Sequence, residues 1–260
     1  MRLDLRSERK SRRQKLTTIY NELTRSNPRL SEADLQALGI RHTTMSLEGD
    51  NGPKFFSAYH DILRKPAPAL EEYVDWEGVI GMKPYYNADT LASYLIGYAF
   101  RCEMPNSASS PRGICYTDYG DLGYGCLAEI TPVGTRWRVK TLWYMLKETA
   151  PHIVFVMYSE MSLDNKDGYE TPLFYGEVKA LIRVMYLRLK QPFLDMNVLA
   201  PVLCFSAIGH HHLRVIEAYH DGVDLVVRST PVFNMLHRDD ELLMALAKCL
   251  LGGASDKPTS

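Results

Sequence analysis

The sequence predicts an α+β or α/β fold, in which a mixed β-sheet is flanked by helices and a helical region forms the N-terminal part. Hydrophobic residues make up 46% and charged residues 23% of the 260-residue chain, as in an ordinary folded protein with a sizeable core. Apolar side chains recur at helical spacing through the N-terminal part. The C-terminal half instead alternates short apolar runs with helical patterns, separated by turn residues. Together these observations favour a sheet with helices packed against it.

Four helices are predicted in the N-terminal part. The first covers residues 2–25, where a basic half is followed by apolar residues at helical spacing. The second begins after Ser31, a good N-cap residue, and ends at Gly39. A short third helix is predicted over residues 54–64, just before a proline, and a fourth over residues 85–101.

The C-terminal half is expected to supply the sheet. In chain order, its patterns predict a strand or helix at 137–148, a strand at 151–161, a turn at 163–168, a return strand at 173–179, a helix at 180–190, a strand at 201–208, a hairpin at 213–230 and a helix at 238–251. Asp167-Gly168 is the strongest turn signal. The acidic residues at 239–241 suit the positively charged start of the last helix.

These patterns divide the chain into four segments. Residues 1–101 form the helical N-terminal region, and residues 102–135 form a connection rich in Gly, Tyr and Pro. Residues 136–253 form the α/β core, and residues 254–260 are expected to be a disordered tail.

Charge and cysteine content limit the partners and the compartment. The formal net charge is -1, so attraction to a polyanion has to come from local patches. The five cysteines contain no CxxC pair, and their odd number suits a reducing compartment. The N-terminus lacks the apolar segment of a secretory signal, and no apolar run reaches membrane-spanning length. We therefore expect an intracellular protein, nuclear or cytoplasmic, without a membrane partner.

A basic run marks the first predicted helix. Arg9, Lys10, Arg12 and Arg13 stand within five consecutive positions. A run of this kind is typical of a solvated helix face. It is also typical of a nuclear-import signal, or of an arm that contacts the phosphates of DNA or RNA. The sequence leaves these three interpretations open.

Glu177 and Lys179 are the strongest candidates for a catalytic pair. On the predicted strand they are two residues apart, so their side chains share one face. A carboxylate beside a lysine on a rigid strand suits metal-assisted hydrolysis of a phosphodiester. The preceding predicted strand carries His152 near its start, where a hard metal ion would prefer a carboxylate.

The residues "APHIVFV" at 150–156 and "YGEVKAL" at 175–181 resemble the PD-(D/E)XK restriction-endonuclease-like superfamily. That family pairs an acid on one strand with E-x-K on the next, followed by a helix and a further strand. The E-x-K matches at Glu177 and Lys179, whereas His152 replaces the first acid. The resemblance covers about residues 136–230. A short E-x-K also arises by chance, so the surrounding order of predicted elements carries most of the likeness.

The resemblance implies roles for these residues. Glu177 would bind Mg²⁺ or Mn²⁺, and Lys179 would position water or stabilise the charge of the transition state. Manganese tolerates the imidazole of His152 better than magnesium does. Glu148, Glu160, Asp164 or Asp167 would supply the missing acid if another segment completes the site. The sequence also allows a domain that keeps this fold without catalysis and acts as an interaction module.

Other motifs carry less weight. Residues 201–228 are more loosely similar to uncharacterised fungal proteins, a likeness that implies no particular activity. The run of histidines at 210–212 is interpreted as a polar strand entry, because neighbouring residues of a strand point to opposite faces. The tyrosines of the 102–135 connection are suited to stacking on bases or to packing over the core. Signatures of nucleoside-triphosphatases, serine hydrolases and zinc proteases are missing from the sequence.

Overall fold

The structure is a computed structural model, which describes residues 2–23, 28–66, 73–74, 83–105, 114–117, 127, 136–145, 150–163 and 173–259. Within these residues the helices are α1 (Arg2–Glu22), α2 (Glu32–Ala37), α3 (Pro84–Arg101), α4 (Tyr175–Lys190) and α5 (Asp240–Leu250). None of the helices in this described part of the chain is both long and apolar enough to cross a membrane.

The strands lie mostly in the C-terminal half, as predicted. They are β1 (Arg29–Leu30), β2 (Ile40–Thr44), β3 (Phe56–Ser57), β4 (Ile114–Thr117), β5 (Trp137–Met145), β6 (Ile153–Ser159), β7 (Leu173–Phe174), β8 (Val202–Ile208), β9 (His212–His220), β10 (Leu225–Ser229), β11 (Phe233–Asn234) and β12 (Gly253–Ala254). A short 3-10 turn, Pro192–Leu194, follows α4. The predicted α+β class, a mixed sheet flanked by helices, is confirmed.

Seven strands form the main sheet in the order β2-β10-β9-β8-β6-β5-β4, and β11 pairs with the start of β9. β6 and β8 are parallel, and α4 lies in the crossover between them. β2 is parallel to β10, while the other described neighbours in this sheet are antiparallel. The N-terminal region that was predicted to be helical therefore also supplies one edge strand of the sheet.

The sheet separates two apolar cores. Alternate residues of a strand point to opposite faces, so Val154 and Val156 of β6 face α3 and α5. Ile153 and Phe155 face the opposite core, which α1, α2 and α4 cover. All seven residues of β6 are buried, which explains why its sequence is a continuous apolar run.

Local sequence signals set the ends of α2 as predicted. The Ser31 hydroxyl accepts a hydrogen bond from the backbone amide of Asp34, and the Asp34 carboxylate accepts one from the Ser31 amide at 2.8 Å. This reciprocal capping box satisfies two amides that the first turn leaves free. Gly39 follows the helix with φ of +67°, a conformation that glycine adopts without a Cβ clash.

The helix predicted over residues 54–64 is wrong. Phe56 and Ser57 form β3, which pairs with β12 near the C-terminus. The Phe55 amide donates to the buried Glu217 carboxylate at 2.7 Å, and both phenylalanines are buried. Contacts with distant strands therefore override the local helical spacing in this segment.

The strand predicted over residues 173–179 is also wrong beyond its second residue. β7 ends at Phe174, and α4 begins at Tyr175, so Glu177 and Lys179 lie on a helix. β7 pairs with the two residues of β1, and the Tyr175 amide donates to the Pro28 carbonyl at 2.9 Å. α4 lies between the sheet and α1, which is why apolar residues occur almost all around it.

Residues 254–259 belong to the segment that was expected to be disordered, but they pack against the protein. Ala254 pairs with Phe56. The Thr259 carbonyl accepts hydrogen bonds from the amides of Val198 and Leu199, at 2.9 and 3.0 Å. Satisfied backbone groups, rather than apolar side chains, hold this end of the chain in place. Most of the 102–135 connection and of the 163–168 turn lies outside the described residues.

Candidate functional site: the buried acid and the groove between α1 and α4

Glu177 stands in the first turn of α4, three residues after the extended residue Phe174. One carboxylate oxygen accepts the Phe174 amide at 2.8 Å, which satisfies an amide at the helix start. The guanidinium of Arg214, on β9, donates to the other oxygen at 2.8 Å and also to the first. Both side chains are 1% exposed. Every oxygen of Glu177 is therefore engaged inside the protein, and the carboxylate is not available to a metal ion.

The Lys179 side chain points toward α1 rather than toward Arg214, the partner of Glu177. Its ammonium lies 3.5 Å from the centre of the Tyr20 ring and 5.3 Å from that of Tyr175. It donates to the Tyr20 carbonyl at 2.7 Å. Burial lowers the pKa of Lys179 to about 8. Lys179 thus joins α4 to α1 through a carbonyl and two aromatic faces.

His152 lies on the other face of the sheet from α4. Its ring packs edge-on against Phe56 with a centroid distance of 5.3 Å, in the core covered by α3 and α5. Neither ring nitrogen has a hydrogen-bond partner among the described residues. Burial, assisted by the charge of Arg188, lowers the pKa of His152 to about 4. A neutral, enclosed imidazole in this position does not replace the acid of a metal site.

The structure therefore does not bring the predicted catalytic residues together. Of the remaining metal candidates, Glu160 does not complete the site. Glu160 accepts hydrogen bonds from the Arg136 backbone amide at 2.7 Å and from its guanidinium at 3.2 Å. Glu148, Asp164 and Asp167 lie outside the described residues. No group of three or more His, Cys, Asp or Glu side chains among the residues that are described is arranged to hold a metal ion. As the structure places them, Glu177, His152 and Glu160 do not fit the predicted Mg²⁺ or Mn²⁺ centre.

The buried His152 has a measurable consequence for stability. Its folded pKa of about 4 lies below the ordinary value of 6.5, so between these values the unfolded chain binds the proton more tightly. The stabilisation is complete above pH 6.5 and is lost as the pH falls toward 4. We expect His152→Phe to remove up to about 3 kcal/mol of this acid destabilisation. Urea unfolding of both proteins at pH 7 and pH 4.5 measures the difference. Equal losses in both proteins would contradict a neutral buried His152.

Three of the four predicted nucleic-acid-binding residues hold the fold together. Arg9 is buried and donates to four backbone carbonyls at and beyond the end of α4, those of Leu189, Gln191, Leu194 and Asn197. Arg12 is buried and donates to the His220 carbonyl, and Arg13 donates to the Leu189 carbonyl at 2.9 Å. Lys10 is exposed, and no hydrogen bond or ion pair links it to the described residues. Only part of the basic run therefore faces a possible partner.

A groove runs along the outer surface where α1 packs against α4. One end is a cavity of about 430 Å³ that includes the cations Lys10 and Arg13 in its lining. The other end is a smaller pocket of about 180 Å³ that includes Arg183 and Tyr20. Tyr186 of α4 and Thr17 of α1 line both parts, so the two parts are adjacent. We call this surface the α1–α4 groove.

The α1–α4 groove combines positive charge with aromatic rings. Its described lining includes three cations and no acidic side chain. The Arg183 guanidinium lies over the Tyr186 ring at 5.8 Å, and the ammonium of Lys179 lies beneath Tyr20. Arg183 and Tyr186 were not recognised from the sequence. Their spacing of three residues places them on one face of a helix, but the groove exists only because α1 docks beside that face.

Protein-family models, curated proteins and solved structures give no match to this chain. The fold class therefore rests on the structure itself, a mixed sheet flanked by helices. The resemblance to the restriction-endonuclease-like superfamily stays a prediction.

Proposed function

We propose that this chain is a non-catalytic nucleic-acid-binding module that contacts its ligand through the α1–α4 groove. The observation that carries the proposal is the charge of this groove. Lys10, Arg13 and Arg183 line it without an acidic neighbour in the lining, although the whole chain has a formal net charge of -1. A local concentration of cations is what a neutral protein needs to bind a phosphate backbone.

The aromatic rings favour nucleic acid over other polyanions. Tyr20 and Tyr186 stand in the groove among the cations. Grooves that bind nucleic-acid strands commonly combine cations along the backbone with rings that stack on bases. A peptide of Asp and Glu would use the cations but would have no flat rings to place against the tyrosines.

Binding without hydrolysis follows from the position of Glu177. Its carboxylate is 1% exposed and paired with Arg214, and α4 as a whole separates it from the basic run of α1. A buried charge that loses its partner is costly, so this carboxylate has little tendency to leave Arg214 for a metal ion. In this role the mixed sheet and its helices are a scaffold, and no hydrolytic step is assigned to them.

The test is the salt dependence of binding to a fluorescently labelled oligonucleotide. If two groove cations each contact a phosphate, the double variant Lys10→Gln/Arg183→Gln should lower the slope of log affinity against log salt by about 1.4 for a single strand. Fluorescence anisotropy between about 50 and 200 mM salt measures this slope. The affinity itself should fall most at low salt.

Lys248→Gln is the control for each single groove variant, because it removes one half-buried cation from α5, on the opposite face of the sheet. Its binding should equal that of the unchanged protein. The proposal fails if the oligonucleotide does not bind, or if Lys248→Gln weakens binding as much as the groove variants do. Shortening of the strand by the purified protein in Mn²⁺ would contradict the non-catalytic assignment.

A further inference from the structure

We infer that the smaller part of the α1–α4 groove is a subsite for one unstacked base, so that the module binds single-stranded rather than duplex nucleic acid. This inference rests on the proposed function and adds the form of the ligand. It depends on the shape and chemistry of the smaller pocket, whereas the proposed function depends on the charge of the whole groove.

The size of the pocket limits what enters it. Its volume of about 180 Å³ lies below the roughly 300–1,000 Å³ of pockets for drug-sized ligands. One purine or pyrimidine ring system suits such a volume, whereas a base pair needs more room. A base that remains paired and stacked in a duplex therefore does not enter.

The walls of the pocket match the chemistry of a base. Leu16 and Ile182 are buried and form an apolar floor. Tyr20 and Tyr186 are half-buried and line its sides. Stacking of a base on an aromatic side chain is worth about 1–3 kcal/mol. Thr17 and Asn21 add polar groups at the exposed rim, where the edge of a base would lie.

The position of the pocket links the base to the phosphate backbone. Thr17 and Tyr186 line both the smaller pocket and the larger cationic cavity. A nucleotide with its base in the smaller pocket therefore has its backbone next to the cavity that contains Lys10 and Arg13. Lys179 holds Tyr20 in place from below, through its contact with the ring and with the Tyr20 carbonyl. This support gives the subsite one preformed wall.

The experiment compares four labelled probes of one length: a single-stranded DNA, a single-stranded RNA, a DNA duplex and an abasic DNA strand. We expect the single strands to bind at least tenfold more tightly than the duplex or the abasic strand. Tyr186→Ala should weaken single-strand binding about 5- to 150-fold and leave duplex binding unchanged. Tyr186→Phe keeps the ring face and should retain the single-strand affinity. Tyr186 is preferred to Tyr20 for substitution, since Tyr20 also contacts Lys179.

The outcomes separate the subsite from the proposed function. If all four probes bind equally and Tyr186→Ala changes nothing, while Lys10→Gln/Arg183→Gln still weakens binding, the base subsite is overturned and the proposed function stands. If no probe binds, both fail. A free mononucleotide that binds as tightly as the strands would overturn the single-strand assignment. An acidic peptide that binds as tightly as the strands, independently of Tyr186, would do the same. Thermal unfolding of each variant checks that it remains folded.

Discussion

Glu177→Ala should lower the free energy of unfolding by about 3–5 kcal/mol. The substitution removes the carboxylate that is paired with the buried Arg214 guanidinium, which is 1% exposed. It also removes the acceptor of the Phe174 amide at the start of α4. A metal-binding carboxylate in an open cleft would behave in the opposite way, because its removal relieves repulsion and commonly costs little stability. Urea unfolding at pH 7 measures the change.

Two further variants test whether the loss of stability comes from the buried ion pair. Glu160→Ala removes a carboxylate from a pair with Arg136 that is partly open to solvent, so it should cost about 1 kcal/mol or less. The double variant Glu177→Leu/Arg214→Met replaces both buried charges and should recover much of the loss, since a well-packed apolar pair is often as stable as a buried ion pair. A loss below about 1 kcal/mol for Glu177→Ala would show that Arg214 finds another partner or reaches water.

Arg9→Ala should destabilise the protein by about 3–5 kcal/mol, whereas Lys10→Ala should change stability by less than about 0.5 kcal/mol. Arg9 donates to four carbonyls at and beyond the end of α4, and its removal breaks all four bonds to a buried cation and leaves the space of its side chain empty. Only part of this loss is offset by the second donors that three of these carbonyls keep, which are Arg13 and the amides of Leu194 and Asn197. Lys10 is exposed. The two residues are neighbours with the same charge, so each is the control for the other. Denaturant unfolding gives both values.

The same pair separates stability from binding. Lys10→Ala should weaken the salt-dependent binding of an oligonucleotide without changing the unfolding midpoint. Arg9→Ala should reduce the folded fraction, and the molecules that remain folded should bind normally. The structural assignment of Arg9 is contradicted if Arg9→Ala remains as stable as the unchanged protein and loses binding instead.

The sequence correctly predicted the elements in which the hydrophobic spacing and the capping residues indicate the same structure. The spacing of Leu16, Ile19 and Leu23 correctly placed one face of α1 in the core. Ser31 and Gly39 correctly marked the ends of α2. In these segments the local preferences and the final packing favour the same conformation, so no distant contact is needed to decide.

The start of α4 could not be predicted in the same way. Leu173 to Val178 is rich in aromatic and apolar residues, and such a run is typical of a strand. The short β1–β7 pairing and the Glu177–Arg214 ion pair determine that the strand ends at Phe174 and that α4 follows. Both depend on residues far away in the chain. Glu177 three residues after Phe174 was half of a capping signal, but Phe174 lacks the side-chain oxygen that completes it.

The sequence contains a signal for the anchoring roles of Arg9 and Arg12, but the many basic residues of this segment hide it. Arg9 and Arg12 continue the spacing of three and four residues that Leu16, Ile19 and Leu23 follow, and all five lie on one face of α1. A basic residue on an apolar stripe indicates an anchoring contact more than a solvated face. The sequence does not show which groups these arginines contact, because the carbonyls at the end of α4 come within reach of α1 only in the packed structure.

The parallel pairing of β2 with β10 has a consequence for synthesis on the ribosome. Ile40–Thr44 pairs with Leu225–Ser229, Arg29–Leu30 with Leu173–Phe174, and Phe56–Ser57 with Gly253–Ala254. The first 57 residues therefore meet their strand partners only after most of the chain has been translated. Strand pairs this far apart in sequence are slow to form. Until they form, the unpaired strand edges are able to pair with non-native strands. A nascent chain that stalls before β9 and β10 leaves the ribosome tunnel with an N-terminal segment whose sheet position does not yet exist.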